Sequence, residues 1–255
     1  MRTKTKKSVE AVKETLPIWI FIFAVCYAFF HIMPALIDIE IKYKFWVGDL
    51  LDLFTPFIMI LLIYKLYRLI SIGNSGNEIK PSIKAANFLI LIGGASFIEG
   101  HGMHLAANSI FRHVKLLEGT PLYNFTYFLD ETLSHILWDT GVIIVSASLV
   151  MIAFSMKHMY RVKRTIILAL PAGLFFGFTF FVNAVEGQTV FFMFPISIIF
   201  PAGLIYLAKR GKIAVVQNPI IAFFLIGFVI SLFFFLVWLV WQGGFPQFSD
   251  IGWIE

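Results

Sequence analysis

The sequence predicts an all-α integral membrane protein, a bundle of about seven transmembrane helices with a cytoplasmic amino terminus and an extracytoplasmic carboxyl terminus. Hydrophobic residues make up 59% of the 255 residues, charged residues make up only 14%, and the mean hydropathy is +0.86. Soluble domains carry about 25% charged residues. Apolar runs recur along the whole chain, as a lipid-facing surface requires.

A membrane-spanning helix needs about 20 mostly apolar residues. Seven segments meet this requirement: residues 17–38, 46–70, 86–111, 127–155, 165–187, 189–208 and 218–242. Only Glu186–Gln188 separate the fifth segment from the sixth, which predicts a tight helical hairpin or one broken helix. The chain is therefore expected to comprise a basic cytoplasmic tail (1–16), a seven-helix transmembrane domain (17–242) and an extracytoplasmic tail (243–255).

The distribution of basic residues predicts the orientation. Of the 20 Lys and Arg residues, 16 lie on the side of the amino terminus, and four lie on the other side: Lys42, Lys44, Arg112 and Lys115. The positive-inside rule places the richer side in the cytoplasm, so the plasma (cell) membrane is the expected location. The basic amino terminus leads into an apolar run without a cleavage site, which indicates a retained signal-anchor helix. The glycosylation sequon at Asn124 would then face outward.

Composition also narrows the classes of partner. The net charge of +5 does not indicate a nucleic-acid partner, because the basic residues lie in short loops between apolar runs. The single cysteine, Cys26, excludes an internal disulfide. Membrane lipids are the expected surroundings, and an oligomer or a larger membrane complex is left open.

Polar and ionisable residues within the apolar segments are the main functional signal, since such groups are costly in lipid and tend to be functional. They are Asp49, Asp52, Glu99, His101, His104, Asn108, Asp130, Glu131, His135, Asp139, Asn183 and Glu186. In the predicted topology the histidines and most of the carboxylates lie in the outer half of the membrane. They are therefore expected to share one site that opens outward. For Asp49 and Asp52, stabilisation of a helix N-terminus by the carboxylate is an equally good explanation. His31 is expected to pack as an ordinary buried histidine.

Helical periodicity places two polar stripes face to face. At about 100° per residue, three side chains of the third segment and three of the fourth each fall on one face of their helix. They are His101, His104 and Asn108 on the third segment, and Glu131, His135 and Asp139 on the fourth. Glu99 lies on the opposite face from His101, so it either serves another partner or marks an irregularity at Gly100 and Gly102.

Imidazoles and carboxylates on facing helices are the groups from which helix bundles build metal sites. The expected ligands of a divalent metal ion are His101, His104 and His135, with Glu131 or Asp139 as a fourth ligand or general base. Zinc fits these ligands best, and iron also suits them. A metal-dependent hydrolase of a lipid or amphiphile would follow from such a site.

Other interpretations of the same residues stay open. The cluster could be a polar network that specifies helix packing, or a proton or cation pathway in a transporter or channel. A haem between histidines of adjacent helices is a further alternative. The chain could also be a structural subunit of a membrane complex.

Seven helices with intramembrane His, Asp and Ser resemble, in type only and over segments three and four, the ceramidase and progestin-adiponectin receptor superfamily of membrane metal hydrolases. That superfamily is expected to carry an H-x-x-x-H pair on its last helix, whereas the seventh segment here, 218–242, contains no histidine. The same segment has no lysine for retinal, as a microbial rhodopsin would require. We therefore assign no family from the sequence.

Overall fold

The computed structural model describes residues 2–73, 81–155 and 162–253 and consists almost entirely of helices. The α-helices are α1 (Arg2–Ile32), α2 (Val47–Gly73), α3 (Pro81–Val114), α4 (Pro121–Tyr127), α5 (Ser134–Ala153), α6 (Val162–Glu186), α7 (Val190–Gly211) and α8 (Pro219–Gln242). A π-helix, Phe128–Leu133, joins α4 to α5. Short 3-10 turns span Met33–Leu36, Lys115–Leu117 and Val215–Gln217, and a hairpin of β1 (Glu40–Lys42) and β2 (Phe45–Trp46) connects α1 to α2.

Within the described ranges, seven helices are long and apolar enough to cross a membrane, which confirms the predicted number and class. The fourth of them, Pro121–Ala153, combines α4, the π-helix and α5. It begins six residues before the predicted start at 127, because Thr120 caps α4 by accepting a hydrogen bond from the Tyr123 amide at 3.3 Å. The predicted connections 73–84 and 157–164, with His158, fall largely outside the described residues.

Both predicted tails are tied to the bundle. Residues 2–16 are helical and continue into the first span, since α1 begins at Arg2. Residues 243–253 turn back after α8, and Phe248 among them is only 8% exposed. The fifth and sixth spans are separate helices joined by a tight turn in which Gln188 has a φ of 53°. Beyond this turn, α7 packs mainly against α8.

The most extensive helix pairs are α3 with α5 and α6 with α8. Glycines set the α3–α5 distance. A Cβ on Gly100 would lie 2.5 Å from the Trp138 amide nitrogen, and a Cβ on Gly141 would lie 2.6 Å from that of Phe97. The two backbones therefore touch, as small residues permit in membrane bundles. This contact confirms that the third and fourth spans are neighbours.

A phenylalanine-rich core fills the other half of the bundle. Its buried rings come from α1, α6 and α8 and include Phe23, Phe176, Phe180, Phe223, Phe224 and Phe228. The pair Gly173 and Gly177 of α6 lies against α8, where a Cβ on Gly177 would meet the Gly227 carbonyl oxygen at 2.3 Å. The buried histidines and carboxylates lie toward one end of the bundle. We call this end, which carries residues 33–46, 115–121, 187–189 and 243–253, the site face.

Substitution of Gly100 tests the close contact. Gly100→Ala is expected to lower the free energy of unfolding by about 1–3 kcal/mol, because its methyl group would overlap the Trp138 backbone. Gly102→Ala is the matched control, since a Cβ at Gly102 meets nothing within 4 Å. Unfolding with SDS in mixed micelles measures the free energy of unfolding of both variants. Equal stability of the two variants would contradict a backbone contact at Gly100.

Candidate functional site

Two histidines near the site face have their Nδ1 atoms fixed by oxygen. His31 Nδ1 donates to the Tyr27 carbonyl at 2.7 Å, which leaves Nε2 as the free nitrogen. His101 Nδ1 lies 3.0 Å from Asp52 Oδ1. Asp52 is thus a partner of the histidine cluster, the name we give to His101, His104 and His135 with the residues packed around them. His31 also belongs to this cluster, because its ring centroid is 5.2 Å from that of His101.

The π-helix places a second histidine–carboxylate pair. His104 Nδ1 lies 2.9 Å from Oδ1 of Asp130, which is 2% exposed. Asp130 sits within the π-helix, and Ser134 Oγ donates to its carbonyl oxygen. Single π-turns inside membrane and soluble helices often occur at functional sites, because the wider turn re-aims side chains. Here Asp130 faces His104.

The Trp138 ring lies close to all four histidine rings of this region, a position that the sequence analysis did not predict. Its ring centroid lies 3.9 Å from that of His101, 4.9 Å from His31, 5.1 Å from His135 and 6.1 Å from His104. The His104 and His135 centroids are 4.9 Å apart. The available signal was its spacing, three residues after His135 on the same face of α5. His101 and His104 of the third span therefore lie close to His135 and Trp138 of the fourth, whereas Glu131 and Asp139 of the predicted stripe have other partners.

Several buried polar atoms of this cluster find no hydrogen-bond partner within the described chain. They are His31 Nε2, His101 Nε2, His104 Nδ1, Asp130 Oδ1, His135 Nδ1, Trp138 Nε1 and Asp139 Oδ1. Buried polar atoms are nearly always satisfied in folded proteins. The unpartnered nitrogens of His31, His101 and His135 around the Trp138 ring therefore indicate a place where a polar ligand or an ion would be stabilised.

The remaining carboxylates near the site face have separate partners. Asp139, fully buried, accepts a hydrogen bond from Thr189 Oγ1 at 2.5 Å. Glu131 is half-buried, and its Oε2 lies 3.5 Å from Gln247 Nε2. Thr189 and Gln247 come from the α6–α7 turn and the carboxyl-terminal segment, neither of which the sequence linked to the site.

Glu186 fixes the carboxyl-terminal segment over the site face. Its carboxylate accepts hydrogen bonds from the Phe248 amide at 2.8 Å and from Ser249 Oγ at 2.5 Å. Gln247 Nε2 donates to the Glu186 carbonyl at 2.5 Å, and the Phe248 ring packs 4.7 Å from Trp238. These contacts make residues 247–249 a cover beside Glu131.

Asp49 forms an ion pair with Arg112 and does not contact the histidine cluster. Its oxygens accept two hydrogen bonds from the Arg112 guanidinium, at 2.5 and 2.9 Å, and one from the Trp46 amide at 2.7 Å. This geometry joins the start of α2 to the end of α3. It agrees with the helix-terminus interpretation of Asp49.

The three remaining predicted site residues, Asn183, Asn108 and Glu99, lie in different surroundings. Asn183 lies under the cluster, where its Nδ2 is 3.5 Å from the Tyr27 hydroxyl. Asn108 is half-buried on α3, one turn beyond His104. Glu99 is exposed on α3 and does not face the cluster.

The cluster could hold a metal ion only after a local rearrangement. Among the residues that the structure describes, no three of His, Cys, Asp and Glu converge on one point as they stand. The Trp138 ring packs against both the His101 ring and the His135 ring, at centroid distances of 3.9 and 5.1 Å. The side chain with the most freedom is His104, which is 21% exposed.

No protein-family model, curated protein or solved structure matches this chain. Its chemistry must therefore be argued from its own residues.

Removal of the Glu186 carboxylate is expected to release the carboxyl-terminal segment. Each hydrogen bond to a charged group contributes about 1.5–3 kcal/mol, so Glu186→Ala should speed limited proteolysis of residues 243–255 by roughly tenfold or more. Glu118→Ala, an exposed change in the loop after α3, is the control. Unchanged cleavage in the Glu186 variant would show that its contacts do not hold the segment.

Proposed function

We propose that this protein binds a divalent metal ion, with zinc as the best match and iron as the second, in the histidine–carboxylate cluster. One observation carries the proposal: Nδ1 of His31 and Nδ1 of His101 are hydrogen-bonded to an oxygen, and His104 Nδ1 lies 2.9 Å from Asp130 Oδ1, although without hydrogen-bond geometry. Metal-binding histidines almost always have their second nitrogen fixed in this way by a carboxylate or carbonyl, which leaves Nε2 free for the metal.

The expected ligands are His101, His104 and His135, supported by Asp52 and Asp130 at Nδ1 of the first two. Imidazole nitrogen suits zinc, and a catalytic zinc keeps three protein ligands and one open position. Among the described residues these groups do not converge as they stand, so the site would form by rearrangement on binding.

A hydrolytic reaction at this site is the second part of the proposal. Zinc with an open position supplies hydroxide near neutral pH. Glu131 is the better placed general base, because it is half-buried beside the carboxyl-terminal cover and can exchange protons with solvent. Asp139, which is fully buried and bonded to Thr189, would fix the position of a ligand or act as a fourth ligand. A lipid or amphiphile could reach the cluster from the adjacent leaflet.

A one-sided site agrees better with binding or catalysis than with conduction across the membrane. The ionisable cluster ends at Tyr27 and Asn183, and the phenylalanine-rich core lies beyond it. The cavity next to Tyr27 has apolar walls and a volume of about 20 Å³, room for about one water molecule. Among the described residues, the side chains around this cavity are mostly apolar and would stabilise an ion poorly.

Proton- or cation-coupled transport is the second candidate, and the His104–Asp130 pair favours it. A buried pair of this kind can load and release a proton as its surroundings change. Proton or cation flux into liposomes that disappears in His104→Ala, without bound metal, would select transport over hydrolysis. Neither metal nor flux, with fixed partners on purification, would indicate a structural subunit.

Metal analysis tests the main proposal. Purified in mild detergent and incubated with zinc, the wild-type protein is expected to retain about one ion per chain, and His101→Ala and His104→Ala are expected to lose it. Asp52→Asn should weaken binding by about 10–100-fold, because it disturbs the fixed imidazole. His113→Ala is the control, since His113 is exposed and bonds only the Tyr43 carbonyl among the described residues.

Two results would contradict the proposal. One is less than about 0.2 metal per chain after zinc or iron reconstitution; the other is equal metal loss in His113→Ala and His104→Ala. Hydrolysis is then assayed on fluorogenic fatty-acyl esters and amides in micelles. Metal-dependent turnover that is lost in Glu131→Gln, with metal retained, would assign Glu131 as the base.

The proposed orientation places the site face outside the cell, in a plasma membrane, because basic residues concentrate at the opposite end. An epitope tag at the carboxyl terminus is expected to bind antibody on intact cells, whereas a tag at the amino terminus should require permeabilisation. The reverse pattern would place the site in the cytoplasm-facing half. Labelling of Asn124 by glycan would give the same answer in a eukaryotic host.

A further inference from the structure

The end of α6 and the α6–α7 turn alternate between two sets of contacts. Glu186 and Gln188 bind the carboxyl-terminal segment, whereas Gly187 and Thr189 lie against α5. The alternation depends on the backbone of Gln188, whose φ of 53° lies in the left-handed region. Such strain in a residue other than glycine persists only where the surrounding contacts fix it.

On the α5 side, the turn covers two residues of the candidate site. A Cβ on Gly187 would overlap the His135 imidazole and would lie nearest to its Nδ1, so the backbone of the turn rests directly on that ring. Thr189 Oγ1 donates to the Asp139 carboxylate at 2.5 Å. His135 and Asp139 are 5% and 0% exposed. A ligand at His135 Nδ1 would therefore need the space that the turn occupies.

On its other side, the turn holds the carboxyl-terminal segment through a pair of side-chain amides. Gln188 Nε2 donates to Gln247 Oε1 at 2.9 Å and to the Tyr127 hydroxyl at 2.6 Å. Gln247 Nε2 donates to the Glu186 carbonyl at 2.5 Å and lies 3.5 Å from Glu131 Oε2. Water competes for exposed hydrogen bonds of this kind, so they can open at little net cost.

Two glycines separate the segment from α8. Gly243 follows the helix with a φ of 69°, and a Cβ on Gly243 or Gly244 would meet nothing within 4 Å. Glycines without packed neighbours let the backbone change direction, as the hinge of a lid requires. The Phe248 ring, 8% exposed, packs against Trp238 of α8 and stabilises the closed position.

We infer that residues 243–253 form a lid on the histidine cluster and that Gln188 and Gln247 latch it. Opening of the lid releases His135 and Asp139, because one turn contacts both the lid and these two residues. The inference rests on the proposed function, since it concerns how a ligand is admitted to that site. Among the described residues, the candidate ligands do not converge while the lid is closed, so opening and rearrangement would occur together.

Thiol accessibility tests the lid without any metal. In a Cys26→Ser background, Glu131→Cys places a thiol beside Gln247, and His135→Cys places one beneath the α6–α7 turn. Addition of Gln247→Ala is expected to raise the rate at which a charged methanethiosulfonate reagent modifies each thiol by about tenfold, because the latch loses its hydrogen bonds. Gln242→Ala, at the last residue of α8, is the control.

Two outcomes of this assay would overturn the inference. An unchanged rate for the Glu131→Cys thiol would show that Gln247 latches no lid. A faster rate there, without a faster rate for the His135→Cys thiol, would show that the turn does not transmit the opening.

Zinc affinity distinguishes a lid from a support of the site. A supporting Gln247 would make zinc binding weaker in Gln247→Ala, whereas release of a lid is expected to tighten it by about tenfold, because more of the protein is then open. Gln188→Asn, a shorter amide that tolerates the left-handed backbone, is expected to act in the same direction. Unchanged or weaker binding in both variants of a wild type that binds zinc would overturn the coupling. Absence of zinc from every variant would instead contradict the proposed function, and the thiol rates would still decide on the lid.

Discussion

The contact between α3 and α5 is the constraint on which the cluster depends. Glycine at positions 100 and 141 lets the two backbones touch, and this proximity brings Trp138 of α5 to within 3.9 Å of the His101 ring centroid. A side chain at either position would separate the helices and pull the indole away from the imidazoles. The packing of two apolar surfaces therefore fixes the geometry of a polar site.

Placing ionisable groups in the low-polarity interior carries a cost that the fold offsets by local pairing. His101 Nδ1 is hydrogen-bonded to Asp52 Oδ1, and His104 Nδ1 lies 2.9 Å from Asp130 Oδ1; opposite charge nearby limits the desolvation penalty of these groups. The same pairing leaves the other nitrogen of each ring directed elsewhere. A pair that stabilises the fold thus also prepares an imidazole for a ligand.

The candidate site was only partly predictable because helix register decides which side chain faces which. On a straight α-helix, Glu131 shares a face with His135, and the sequence therefore favoured Glu131 over Asp130 as the central carboxylate. The π-helix Phe128–Leu133 changes this register, so Asp130 faces His104 and Glu131 lies beside Gln247. Periodicity assumes a constant turn, and no pattern in the sequence marks where the turn widens.

The sequence alone determined the membrane class, the seven spans and the meeting of polar residues from the third and fourth spans, because hydropathy and helical periodicity act locally along the chain. Only the tertiary structure decided that His31 and Trp138 join the cluster, that Asp49 pairs with Arg112, and that residues 247–249 cover the site face. These contacts join residues far apart in the chain, and their formation depends on how whole helices pack, which local patterns do not encode.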